Sequence, residues 1–409
     1  MLPPLRPDQQ VKPRRFELRL AVLYACIFIP NGIHLPYFPL WLELKQFTPT
    51  EIAVILSAPM FVRIFAGPIV SAFADRAKDR VPVLIACAVL SVILCAGYFL
   101  PATYAVVLAV SVLLAAAWAP HTPLSDSIAL SGVRRYGIDY AGMRVWGSIS
   151  FLLTNIAGGY ILARTGAGIV PWLMLGGLST VIAAAVLLPR LGRPRVAAPN
   201  PADMLPRVAF ALRQPYFLLI ITASALGQSS HAFLYAFGSI YWKSAGIGEG
   251  AVGLLWAFSV FAEVTMFVVF RRFFRTWRAP LVVALGAGIG VLRWCLYPLV
   301  LPAGLGLAGF FAVQALHAFS FSLVFLGTQR MFTETVPEAR MGAAQGTAFF
   351  INMSMMAAIT LLSGPLYERI GAAGFYVMAA VIAVGTLAAL AALAYPQSAD
   401  SGGDTSDPA

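Results

Sequence analysis

The chain has 409 residues, of which 60% are hydrophobic and only 11% charged, against about one quarter charged in an ordinary soluble protein. Such a composition cannot cover a water-facing surface, and twelve bilayer crossings of about 20 residues each would leave no room for a sizeable soluble domain; secreted proteins, cytosolic enzymes and nucleic-acid-binding modules are excluded. The net charge of +11 therefore bears on orientation in a membrane and not on DNA.

A basic arm, residues 1–17, comes first and lacks the short apolar core and small-residue cleavage site of a removable leader, so the first apolar stretch is expected to be retained. Twelve spans are expected, at about 18–42, 51–74, 82–100, 104–130, 142–163, 169–189, 215–242, 250–270, 280–300, 305–328, 342–366 and 371–395. The alternating pattern of an outer-membrane barrel is missing. The expected fold is an all-α membrane protein with twelve transmembrane helices in two six-helix bundles, 18–189 and 215–395. Between the bundles, residues 190–214 form a polar linker with five arginines and four prolines, and a polar tail follows from 396. Cys26, Cys87, Cys95 and Cys295 lie within spans without paired spacing and read as small packing residues.

Lysine and arginine set the orientation. Of 28 such residues, 22 fall in the N-terminal arm and in alternate loops on one side, while only Lys45, Arg164, Lys243 and Arg369 occupy the opposite loops. The positive-inside rule makes the rich side cytoplasmic and, with an even number of spans, places both termini there.

The two halves repeat weakly. GYILARTGAG at 159–168 and GPLYERIGAAG at 364–374 share Gly, then Arg, then Gly-Ala at a shift of 205. Spans 2 and 8 align near a shift of 200, setting Arg63 opposite Glu263. Parallel repeats of six spans mark a large transporter class with its binding site near mid-membrane.

An ionisable group inside a bilayer costs several kcal/mol by contested estimates, so it faces a cavity or a partner. His34, His121, His231 and His317 are all intramembrane, one on the first span of each group of three. Asn31, Gln228 and Gln314 stand three residues before three of them, on the same helix face. Tyr37, Phe38, Tyr235 and Phe321 extend those faces, which would together line an aqueous cavity; burial against neighbouring helices is the plain alternative. Arg63, Glu263 and Arg293 are the charges deepest in apolar sequence, so Glu263 is expected to pair with Arg293 or to hold a proton. Asp126 and Arg144 form a second candidate pair, beside a span broken at Pro120 and Pro123. Asp75 and Arg76 open the charged turn DRAKDR, either a tight loop or a latch toward another helix end.

These residues resemble the major facilitator superfamily. The loop GPIVSAFADRAKDR at 67–80 is similar to its signature between spans 2 and 3, with Ser71 and Lys78 where glycine is usual. GMRVWGSISF, FGSIYWKSAGIGEGAVGLLWAFSVFAEVTMF, GVLRWCLYPL and QALHAFSF resemble the 3-phenylpropionic acid transporter branch, which is similar in turn to the lactose permease group of proton symporters. That resemblance implies substrate contacts at Asp126 and Arg144, and proton coupling and substrate contact at Glu263, Arg293 and His317. Ser320 occupies the position where the sugar permease carries its main proton-carrying glutamate, so coupling here would fall to Glu263 or Asp126, with His317.

The expected function is proton-coupled import of a small organic solute by alternating access. Arg63, Arg144 and Arg293 beside aromatic side chains suit an aryl-alkanoic carboxylate, since guanidinium forks a carboxylate and aromatic walls accept a ring. A sugar or nucleoside would use Asp126, the amides and the aromatic faces equally well, and a drug or metabolite exporter is a rival in the same class. A non-transporting receptor would ordinarily append a soluble domain. No zinc, serine-elbow or acidic metal signature marks an enzyme. No metal and no cofactor beyond the proton gradient are expected. The expected partners are a small solute, a proton and the lipid bilayer, without nucleic acid, for a monomer. Arginine outnumbers lysine 24 to 4, a composition associated with GC-rich bacterial genomes, so the expected location is a bacterial inner membrane.

Overall fold

The computed structural model describes residues 11–192, 214–336 and 338–395. Most of the expected linker, the tail from 396 and residues 1–10 of the arm lie outside the described residues. Every regular element among the described residues is helical. In chain order these are α1 (Phe16–Leu44), α2 (Pro49–Arg76), α3 (Val81–Cys95), α4 (Tyr104–Trp118), α5 (His121–Tyr136), α6 (Tyr140–Thr165), α7 (Val170–Val186) and α8 (Pro215–Ser229). They continue with α9 (Ala232–Ser244), α10 (Glu249–Phe274), α11 (Ala279–Leu296), α12 (Gly306–Ala315), α13 (His317–Ser320), α14 (Ser322–Thr335), α15 (Glu338–Ile370) and α16 (Gly374–Ala391).

Among the described residues, eleven stretches are long and apolar enough to cross a membrane. The last, Met341–Ala394, has 54 residues; at about 1.5 Å per residue it is far longer than one hydrocarbon core. It bends at Gly371–Ala373, where Gly371 takes φ 53°, a left-handed conformation that glycine adopts without steric cost. The outward faces are apolar. Phe65, Ile69 and Phe73 form an exposed stripe down α2, and Val268 is 78% exposed. Water would penalise that surface, whereas hydrocarbon does not.

Local sequence fixes the helix starts. Thr48 and Glu51 make a reciprocal capping box at α2, Thr103 caps α4, and Asp139 accepts two backbone N–H groups at the start of α6. The break expected in the fourth span is found between Trp118 and His121. Pro120 has no N–H for the ladder, and Pro123 is accommodated in the first turn of the new helix, where its missing donor costs nothing. Two further breaks were not evident from prolines, at Ser230–His231 and at Leu316. Three of the four histidines thus sit at helix interruptions, where side chain and backbone share the same few partners.

The described residues pack as two compact units that cut across the half-repeat. The first contains residues 11–192 together with 232–258 and 357–372. In it, α1 packs along α6 and α7, α2 along α4, and α3 along α7. Phe16, Leu20, Leu23 and Tyr24 meet Leu84, Leu124, Ile128 and Val181 in its core. The second unit contains 214–231, 259–336, 338–356 and 373–395. There α11 packs on α14 and α16, and α8 lies against α16. Trp294 and Tyr297 stack on Phe375.

Two glycine contacts explain why 232–258 and 357–372 join the first unit. A Cβ on Gly159 of α6 would lie 2.7 Å from Glu249 O and 3.2 Å from Gly253 Cα at the start of α10. A Cβ on Gly364 of α15 would lie 2.7 Å from Pro49 O and 2.8 Å from Thr50 Cα at the start of α2. Gly159 and Gly364 are the repeat glycines, and the helix starts they touch also correspond between halves. Thr50 donates to Glu368 at 2.5 Å and Lys243 lies 3.7 Å from Glu43, so the side bearing the few basic loops is held shut by matched backbone approaches with polar ties at their rim.

Gly364→Leu should prise α15 from α2. Overpacking of this kind costs about 1–3 kcal/mol, so cross-linking between cysteines placed at Thr50 and Glu368 should fall roughly tenfold when that substitution is added. Undiminished cross-linking would show that the close approach is not what holds this face together.

Candidate functional site

The expected site residues fall into separate environments. The second unit holds a cluster around Arg293, which is buried. Its Nε donates to Val313 O at 2.9 Å and its Nη2 to Gln314 Oε1 at 2.6 Å, while Nη1 lies 3.2 Å from His317 Nδ1 and 3.3 Å from Ser320 Oγ. The guanidinium also stands 4.4 Å over the Trp294 ring. Glu263, expected to pair with Arg293 or to hold a proton, has its carboxylate 3.5 Å from His317 Nε2. An α10 side chain reaches the imidazole edge first, and the guanidinium is already taken by the broken span containing Gln314, His317 and Ser320.

The donor inventory then fixes the tautomer. Arginine only donates, so His317 Nδ1 must be the bare acceptor, and the ring proton sits on Nε2 facing Glu263. His231 is reached by the same logic. Its Nδ1 faces the carbonyls of Gly227 at 3.1 Å and Gln228 at 3.2 Å and must donate, which leaves Nε2 to accept from Ser320 Oγ at 3.4 Å. Arg293 therefore organises two neutral imidazoles, one of which ends on a carboxylate. Gln314 is consumed in holding Arg293, and Gln228 Nε2 is buried without a hydrogen-bond partner among the described residues.

In the first unit Asp126 and Arg144 do not form an ion pair among the described residues. Asp126 accepts from Tyr24 at 2.6 Å and Tyr140 at 2.9 Å. Arg144 lies 4.4 Å over Phe28 and 5.5 Å over Tyr24. Tyr140 at the first turn of α6 and Tyr24 on α1 converge on the carboxylate and satisfy it without the charge. The ring faces meanwhile take up the guanidinium by cation–π attraction.

His121 is fully buried. The Ser91 hydroxyl donates to Cys87 O at 2.8 Å, so His121 Nε2, 3.4 Å away, has to be the donor; Nδ1 has no partner among the described residues. Tyr37 is likewise buried, its hydroxyl donated to Asn155 O across α1 and α6, and the Asn31 amide turns back to Ile27 O at 2.8 Å. Tyrosine and amide groups able to reach a neighbouring backbone thus do so.

His34, Arg63 and Tyr235 do meet in one cavity of the first unit, with Met60 and Thr360. Leu35, Ile55, Pro39 and Pro59 also line it. Each of these prolines removes the N–H that would have met the carbonyl four residues back, at Leu35 and at Ile55. Trp118, one turn ahead of the α4 break, lies under the guanidinium at 5.4 Å and edge-on to His34 at 5.5 Å. Trp118 and Thr360 were not legible as site residues, because a tryptophan or threonine in an apolar span carries no pattern of its own. Their signal was position beside a break and beside a repeat glycine.

Of the two readings of the charged turn, tight loop or latch, the contacts seen are local: Asp75 pairs with Arg80 at 2.6 Å, and Arg80 Nη1 also donates to Ser131 Oγ at 3.0 Å. Asp79 accepts from Val81 N at 2.8 Å and Gly192 N at 2.7 Å. Arg76 is exposed. The loop is a local clamp on α5 and on the end of the first half, because Arg80, one turn further on, reaches Asp75 from within the same turn.

A helical, lipid-faced chain with ionisable clusters inside its spans is a multi-pass membrane protein of the carrier type. The chain belongs to the MFS_1 like family, whose model matches residues 17–378. It is 26% identical over 367 residues to a probable 3-phenylpropionic acid transporter of Escherichia coli (strain K12), covering 88% of this chain and 94% of that one. It is 27% identical over 277 residues to a maltose permease of Geobacillus stearothermophilus, covering 68% and 69%. Its fold matches the crystal structure of nucleoside transporter NupG with a TM-score of 0.79 at 17% identity, over 93% of this chain and 100% of that one. The protein is a transporter of the major facilitator type, and not an enzyme.

Removing Arg293 should be costly for folding. Arg293→Leu strips donors from Gln314 Oε1 and its neighbours at about 1–3 kcal/mol for each acceptor left buried and unsatisfied, so its thermal midpoint in detergent should drop by several degrees. Arg144→Gln, losing a cation–π contact of about 0.5–1 kcal/mol, should shift it far less. Equal shifts would refute the distinction.

Proposed function

We propose that the protein imports an aryl-alkanoic carboxylate such as 3-phenylpropionate with protons, by alternating access, across a bacterial inner membrane. The observation that carries proton coupling is the Glu263–His317–Arg293 arrangement. Arg293 spends its donors on Val313, Gln314, Ser320 and His317, so it leaves Glu263 without a fixed cationic partner. The carboxylate faces only the Nε2–H of a neutral imidazole. A carboxylate in that position can take up and release a proton as its surroundings change, whereas one locked to arginine could not. Ser320, in place of an acid, contributes a hydroxyl that ties His231 to the same cluster.

The carboxylate substrate class is supported by the sequence similarity to the probable 3-phenylpropionic acid transporter along 88% of this chain and by the intramembrane arginines. Reading Met341–Ala394 as two passes joined at Gly371 gives twelve spans, with both termini on the basic, cytoplasmic side and residues 190–214 linking two six-span halves. The face closed by Gly159 and Gly364 is then the outer gate, and its opening would admit solute. We take the working unit to be a monomer using the proton gradient, with no metal or other cofactor. A sugar or nucleoside remains the second reading, favoured by the similarity to a maltose permease.

Labelled 3-phenylpropionate should accumulate in cells or proteoliposomes with an inward proton gradient and stop accumulating when a protonophore is added. Glu263→Gln should abolish accumulation while leaving counterflow exchange intact. Uptake indifferent to the protonophore, or a Glu263→Gln variant that still concentrates solute, would reject the mechanism. Uptake of maltose or uridine in its place would establish the second reading.

A further inference from the structure

The three intramembrane arginines are not equivalent. Arg293 has an acceptor at every nitrogen, and Arg144 lies against two aromatic rings. Arg63 and Arg144 both lack a hydrogen bond and an ion pair among the described residues, but only Arg63 has a guanidinium nitrogen, Nε, that is buried without a hydrogen-bond partner among them; its guanidinium stands 5.4 Å over the Trp118 ring. The cavity it borders contains no aspartate or glutamate. His34, which lines the same cavity, also makes no hydrogen bond among the described residues; its ring stacks on Phe38 at 4.8 Å and meets Trp118 edge-to-face.

A guanidinium at membrane depth with no acid beside it is expensive, and such charges are retained where an anion or water completes them. Here the stacking rings hold both cationic-capable groups in place and leave their N–H edges open. The cavity they line is about 90 Å³, several times the roughly 10–15 Å³ that admits one water. That suits a carboxylate with the first carbons behind it, and not a whole aryl acid, which needs a pocket of about 300 Å³ or more. Tyr235 and Met60 supply the aromatic and soft apolar wall through which a ring would continue. Along α15 the cavity-lining Thr360 is one turn from Gly364, and along α2 the lining residues Ile55 to Arg63 follow the gate residues Pro49 and Ala53. The seat thus lies directly inside the closed face.

We propose that Arg63, with His34, is the carboxylate-binding subsite of this transporter, and that Arg144 and Arg293 do not contact the substrate's carboxylate. This rests on the reading of the substrate as an organic acid. It assigns recognition to α1 and α2 in the first unit, apart from the Glu263 cluster of the second.

The test is equilibrium binding to purified full-length protein in detergent, for a panel of 3-phenylpropionate, its neutral amide, lactate, maltose and uridine, with Arg63→Gln, Arg63→Lys and Arg144→Gln compared with the unmodified chain. A charge-assisted bond is worth about 1.5–3 kcal/mol, so Arg63→Gln should weaken 3-phenylpropionate binding roughly ten- to a hundredfold. The same variant should leave the amide's weaker binding within about threefold, since the amide offers no charge for Arg63 to meet. Arg63→Lys, a point charge without the fork, should fall between, and Arg144→Gln should bind the acid like the unmodified chain. Because Arg63 makes no hydrogen bond among the described residues, its variants should keep their thermal midpoint without ligand. If Arg63→Gln still fails to fold, the Arg63→Lys result decides by the same criterion. Unweakened 3-phenylpropionate binding by Arg63→Gln overturns this assignment and leaves the proposed function standing. Binding of lactate but not of 3-phenylpropionate, lost in Arg63→Gln, upholds the subsite and rejects the aryl substrate. Binding of maltose or uridine alone, or of no acid, overturns both.

Discussion

Hydrocarbon offers no hydrogen bonds, and that constraint governs this molecule at every level. Each backbone N–H and C=O in a span must be satisfied within a helix or by a neighbouring group. Each ionisable side chain must find a partner, a ring face or water. The helices run long and nearly uninterrupted where side chains are apolar, as in α2 and α10. They break at Pro120, at Ser230–His231 and at Leu316, where a histidine is at hand to work with the freed backbone. The His231 Nδ1 bond to the carbonyls of Gly227 and Gln228 is the plainest case, with the imidazole acting as the donor that the interrupted ladder lacks.

From the same constraint comes a division of labour among the buried charges. Arg293 is fully coordinated and acts as the keystone of the second unit: it sets one nitrogen of His317 bare and so turns the other, with its proton, toward Glu263. Asp126 is satisfied by two tyrosine hydroxyls, which frees it from Arg144. Arg63 is held by stacking alone. A structural charge and a functional one look alike in sequence; they differ in how many of their donors are already spent.

The gate contacts connect the duplication to movement. Gly159 against the start of α10 and Gly364 against the start of α2 are counterparts in the repeat, and both work because the absence of a side chain lets backbone meet backbone. Such contacts gain little from hydrophobic burial within a membrane and much from close van der Waals fit. They can separate without exposing an apolar core to water. That is a suitable property for a surface that opens and closes, and it explains why the conspicuous glycines recur at matched positions while the rest of the repeat has diverged.

Much of this was present in the chain read alone. Composition excluded a soluble protein and the spacing of apolar runs located the helices, because each depends on one residue type summed over many positions. The break at Pro120 was legible for the same reason: proline acts on its own backbone. The motif GPIVSAFADRAKDR and the segments around Arg144, Glu263 and His317 pointed to the family that the whole-chain match establishes. Partner choice was not legible. Asp126 turned to Tyr24 and Tyr140 instead of Arg144, and Glu263 faces His317. Each of these depends on differences of a few ångströms between side chains far apart in sequence, and on which donor arrives first when several compete. Sequence determined which groups had to be buried; only tertiary packing decided which of them would be left unsatisfied, because satisfaction is a property of neighbours.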